Sequence, residues 1–181
     1  MRGQEAHSCL VETPASELRR IRSGPDGDEQ AFVVRIHFSA ADPASVIERA
    51  RDVLCRVIEH VMPWPGEEAW ARLLPPWFVQ RCAPEQRADP SWDATAWPAQ
   101  WQAKSQAEKI LDSQGPWTLS NWLYYFDPID GDGDDRSWWW WDAGSDRPDT
   151  GWIDVATTGW PFGTGSLYWL IEASGGTNPR S

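Results

Sequence analysis

Histidine, cysteine and lysine are scarce in this 181-residue chain: three, three and two residues respectively. The histidines are His7, His37 and His60, too few and too scattered to suggest a general acid or base placed beside a nucleophile. Cys55 and His60 share one predicted helix, but five residues apart they project in different directions, so no Cys/His pair is implied. Cys9, Cys55 and Cys82 form an odd set without C-x-x-C or Cys/His spacing, which signals neither a disulfide framework nor a zinc site and fits a reducing compartment. No run of about 18 apolar residues occurs, and the first 22 residues carry charges where a leader would be apolar, so a cytoplasmic location is expected. The catalytic residue set is therefore expected to be empty, and no cofactor is signalled.

Tryptophan is abundant instead. All fifteen lie between Trp64 and Trp169, and Trp138, Trp139, Trp140 and Trp141 stand in a row. An indole offers a large flat apolar surface with one N–H to satisfy, which suits a core, an interface or a ligand shelf. Acid is the second excess. The net charge is −11, and residues 127–154 carry nine aspartates against two arginines, a local net of −7. Such a field repels nucleic acid and anionic membranes and leaves a basic protein, a cation or a neutral ligand as compatible partners.

The pattern along the chain predicts a mobile N-terminal tail over residues 1–29, with one helical turn near 16–21, and a single α+β domain over 30–181. Phe32, Val34, Ile36 and Phe38 alternate with Val33, Arg35 and His37 as in a half-buried strand over 31–38. Asp42-Pro43 opens a long helix whose stripe is Val46, Ile47, Ala50, Val53, Leu54, Val57, Ile58 and Val61, closed by Pro63 and Pro65. A short helix over 66–74, a turn or two within 77–96 and a helix over 98–111 follow. The second half reads as strands over 117–126, 137–142 and 151–158, then a helix over 163–174 ended by Gly175-Gly176. The expected architecture is an antiparallel meander with helices packed on one face.

Strand alternation places Trp138 and Trp140 on one face and Trp139 and Trp141 on the other. Either one pair packs on the helices and the other is covered locally, or the row forms an aromatic shelf for a partner or a sugar. The preceding segment, with Asp130, Asp132, Asp134 and Asp135, opens like a calcium loop but has Asp135 where glycine is required and Trp141 where glutamate is required, so no metal is expected. It reads as a solvated hairpin tip or as a charged recognition loop. Gly163-Thr164-Gly165-Ser166 reads as helix capping, since no lysine follows as in a phosphate-binding loop.

The run Ser137-Trp138-Trp139-Trp140-Trp141-Asp142, followed by Gly159-Trp160-Pro161-Phe162-Gly163 and Leu167-Tyr168-Trp169-Leu170, resembles a pattern in uncharacterised tryptophan-rich actinobacterial proteins over about 60 residues. That resemblance carries no assigned activity. In size and acidity the chain is also similar to the small cytosolic immunity proteins that neutralise polymorphic toxins.

Two functional expectations follow. The first is a non-enzymatic binding protein, such as an immunity protein, that engages a basic partner through Asp130, Asp132, Asp134, Asp135, Trp138, Trp139, Trp140, Trp141 and Asp142. The second is a small-molecule or carbohydrate-binding domain, conceivably enzymatic, in which tryptophans line a site and Asp142 or Asp154 orients polar groups or serves as a base. A third reading makes the tryptophans core only and puts the functional face elsewhere.

Overall fold

The computed structural model describes residues 13–27, 31–85, 102–103, 105, 116–133 and 136–181. The elements are helix α1 (Pro14–Ser23), strand β1 (Val33–Ser39), helices α2 (Pro43–Glu59), α3 (Glu67–Leu73), α4 (Pro76–Arg81) and α5 (Leu119–Tyr124), strands β2 (Trp138–Arg147) and β3 (Thr150–Thr157), helix α6 (Gly165–Ala173) and strand β4 (Thr177–Arg180). The four strands form one antiparallel sheet in the order β2-β3-β1-β4. The fold is α+β, as expected. Only β2 and β3 are neighbours both in sequence and in the sheet, because β1 inserts between β3 and β4.

The period-two pattern sets the register. Val34, Ile36 and Phe38 of β1 lie opposite Val155, Ile153 and Gly151 of β3. Phe38 fills the space over Gly151, where an added Cβ would come within 2.3 Å of the ring. Trp138 and Trp140 pair with Thr157 and Val155 and extend this inner face across β2. Helix α2 lays its stripe on the inner face, with every predicted member from Val46 to Ile58 buried. Asp42 caps it, accepting from the Ser45 N–H at 3.3 Å. Helix α6 packs against α2 and ends at Gly175, whose φ of 106° is open to glycine.

Three expectations are corrected. Residues 14–23 are not part of a mobile tail. They form α1, capped by Thr13, with Ile21 and even Glu17 and Arg20 buried. Its polar residues are buried because they serve a sheet edge: Glu17 Oε1 accepts from the Trp140 backbone N–H at 3.0 Å, and Arg20 Nε donates to the Trp140 carbonyl at 3.1 Å. These are the groups β2 turns away from β3, and α1 supplies the partners a further strand would otherwise give.

The aromatic segment 117–126 is helical rather than a strand. Thr118 Oγ1 accepts from the Asn121 N–H, and Trp122, Leu123 and Phe126 fall on one buried helical face. Tyr125 then points its hydroxyl at the start of β2, where it accepts from the Ser137 and Trp138 N–H groups at 2.9 and 3.1 Å.

The alternation of the tryptophan row stops short. The register shifts between Trp140 and Asp142, so Trp141 is the extra residue of a bulge and lies under Arg20, whose Cζ is 5.0 Å from its ring centroid. The helix expected over 98–111 lies almost wholly outside the described residues, as does the part of 77–96 beyond residue 85; α4 supplies the helical turn expected there.

Candidate functional site

Trp138 and Trp140 are fully buried and Trp141 nearly so. Trp138 donates its Nε1–H to Ser166 Oγ at 3.0 Å, and Trp122 donates to the carbonyl of the same serine. Trp122, Trp138 and Trp140 belong to the hydrophobic core, and Trp139 lines a cleft. Asp142 lies on the opposite face of the sheet, in register with Asp154. Asp154 is committed to a two-pronged pair with Arg35, at 2.7 and 2.8 Å, and that guanidinium stacks on Trp152 with Cζ 3.7 Å from the ring centroid. Asp154 is thus an ion-pair partner, not a free base. Asp134 and Asp135 lie outside the described residues.

Asp130 and Asp132 sit in a wound loop rather than at a hairpin tip. Asp127 Oδ1 accepts from the N–H groups of Ile129 and Asp130, at 2.8 and 3.3 Å. The Asp132 N–H donates to the Tyr124 carbonyl and the Gly133 N–H to the Asp127 carbonyl, so the loop folds back on the end of α5. An added Cβ at Gly131 would lie 2.0 Å from the Tyr124 carbonyl oxygen, which is why this turn needs glycine.

The loop separates two clefts. One, of about 380 Å³, lies between the 64–70 segment and α5, with Trp64, Trp70, Glu85, Leu123, Tyr124, Asp127 and Asp130 among its walls. Trp64 is braced by Trp70 at a ring-centroid distance of 4.7 Å, and Trp70 in turn meets the edge of His60. His60 ends α2, its Nδ1 2.7 Å from the Arg56 carbonyl. Glu85 is held at the start of α5: its Oε1 accepts from the Ser120 N–H at 2.9 Å and its Oε2 from the Ser120 hydroxyl at 2.5 Å. The other cleft, of about 360 Å³, includes Val61, Met62, Pro128, Arg136 and Trp139.

Charge and polarity distinguish the first cleft. Its described walls contain three carboxylates and no lysine, arginine or histidine. The ion pairs among the described residues are Arg19–Asp26, Arg22–Glu59, Arg35–Asp154, Arg56–Asp52 and Arg136–Glu17, and none involves Glu85, Asp127, Asp130 or Asp132. Around the same loop Met62, Tyr124 and Ile129 stand 77, 51 and 70 % exposed, three of the five exposed large apolar residues among those described. Unpaired acid and exposed apolar surface therefore coincide. No family model, no curated protein and no solved structure matches this chain.

Of the aspartates expected to meet a partner, the structure brings Asp130 to this cleft, holds Asp132 in the loop beside it and sets Asp142 apart on the outer sheet face. Trp64, Glu85, Tyr124 and the apolar rim were not among the expected site residues. The one sequence signal for them was Met62-Pro63-Trp64-Pro65, where large apolar residues interrupt a proline turn. The described thiols offer no activated nucleophile, since burial pushes Cys82 up to about 11 and raises Cys55 as well. Among the described residues no helix is long and apolar enough to cross a membrane.

Proposed function

We propose that this chain is a non-enzymatic cytoplasmic binding protein that engages a basic protein partner, in the manner of an immunity protein that neutralises a toxin. The observation that carries the reading is that Glu85, Asp127, Asp130 and Asp132, which enter no ion pair among the described residues, and exposed Met62, Tyr124 and Ile129 gather around the 127–133 loop and the clefts on either side of it. Negative charge raises the encounter rate with a basic surface, and aromatic and aliphatic side chains supply the desolvated contacts that hold the complex. The test is kinetic. Replacing Asp130, Asp132, Asp134 and Asp135 by asparagine slows association with the partner severalfold and flattens its dependence on salt, whereas an unchanged on-rate counts against the proposal.

A second reading, a small-ligand site, is favoured by the placement of Trp64 and Trp70 in a concave wall. It requires saturable quenching of tryptophan fluorescence by a sugar or metabolite, and a flat response across such a panel removes it.

A further inference from the structure

We infer that the cleft between the 64–70 segment and α5 is a receptor for a single arginine side chain presented by the basic partner. The inference rests on the proposed binding of such a partner and names the group the partner inserts.

The pocket offers each part of that side chain a counterpart. Pro65, Leu119 and Leu123 give apolar wall for the methylene stem, Trp64 and Tyr124 give aromatic surface for the cation, and Glu85, Asp127 and Asp130 give carboxylate oxygens. The carboxylates are held in place before any ligand arrives. Glu85 is fixed by two hydrogen bonds from Ser120 and Asp127 by two backbone N–H groups of its own loop. No arginine or lysine in the described walls neutralises them. Among the described residues no three His, Cys, Asp or Glu side chains converge as a cage for a metal ion. Carboxylates that form no metal cage but share a cleft with aromatic surface match a planar, delocalised cation with several N–H donors better than a compact ion. Guanidinium has that shape and is more weakly hydrated than an ammonium group.

The decisive experiment needs no partner. The intact chain is titrated with N-acetyl-arginine methylamide at millimolar concentrations and followed by the indole N–H resonance of Trp64, assigned through its loss in Trp64→Phe. The expected result is a saturable shift. The citrulline derivative, isosteric but neutral, gives none, and the affinity falls at least fivefold in Glu85→Gln and in Tyr124→Ala, the latter at an exposed position, with circular dichroism checking that both variants fold. Absence of a shift, an equal shift with citrulline, or unchanged affinity in both variants overturns the assignment. Tetramethylammonium binding as tightly as the arginine derivative also overturns it, because that cation has no N–H to donate to the carboxylates. Failure of this titration together with capture of a basic partner dependent on the acidic loop would sink the arginine receptor alone. A positive titration with no such capture would sink the partner reading alone.

Discussion

Arg136 forks onto Glu17 across 119 residues of sequence, with Nη1 3.0 Å from Oε2 and Nη2 2.8 Å from Oε1. Both side chains are almost fully buried, and both also serve the outer edge of β2: Glu17 accepts from the Trp140 N–H and Arg136 donates to the Trp138 carbonyl at 3.2 Å. Removing the carboxylate therefore strands a buried cation and a buried backbone donor together. Glu17→Ala is expected to cost about 3–5 kcal/mol in urea unfolding, with Glu17→Gln, which keeps an acceptor, costing less. A loss below about 1 kcal/mol for Glu17→Ala would show that α1 is not a structural cover for the sheet edge.

The packing of Phe38 over Gly151 gives a second expectation. A Cβ at position 151 meets three ring atoms at 2.3 to 2.9 Å, and the ring lies at the centre of the core where it has little room to move. Gly151→Ala should lower stability by about 1–3 kcal/mol. Gly27→Ala is the matched control, since nothing lies within 4 Å of the added carbon, and it should stay within about 0.5 kcal/mol of the parent. Equal effects at the two sites would contradict the register of β1 against β3.

Cys82 ties stability to alkaline pH. Burial raises its thiol from 9.0 to about 11, so the folded chain holds this proton more tightly than the unfolded chain. The resulting stability is present in full below about pH 9 and is lost as the pH rises through about 11. Two measurements follow. Iodoacetamide at pH 8 should alkylate Cys82 roughly a hundredfold more slowly in the native chain than in urea, and Cys82→Ala should flatten the fall in the urea midpoint between pH 9 and 11. Rapid native alkylation would place the thiol at the surface.

Strands β1 and β3 and the long helix are legible because a single periodicity decides each one. Residues 31–38 alternate, and the stripe from Val46 to Ile58 recurs at helical spacing. The α5 segment is not, because Trp122, Leu123, Tyr124, Tyr125 and Phe126 are all aromatic or aliphatic and a continuous apolar run has no period. The Thr118 cap decided it. Helix α1 has the sequence of a tail because Glu17 and Arg20 look like surface residues until Trp140 and Arg136 are brought to them from more than a hundred positions away. β4, four residues with a proline, carries too short a pattern to be noticed. The cleft escaped for the same reason as α1. Its carboxylates and rings come from three separate stretches, 64–70, 85 and 119–130, and only Asp130 had drawn attention from the sequence.

The most direct test of the proposed function is affinity capture from the source lysate at low salt, read by mass spectrometry. Three baits are compared: the intact chain, the variant with asparagine at 130, 132, 134 and 135, and Tyr124→Ala. The account predicts one basic protein retained by the intact chain and lost or strongly depleted on both variants. A basic protein held equally by all three baits, or no basic protein on any of them, would contradict it.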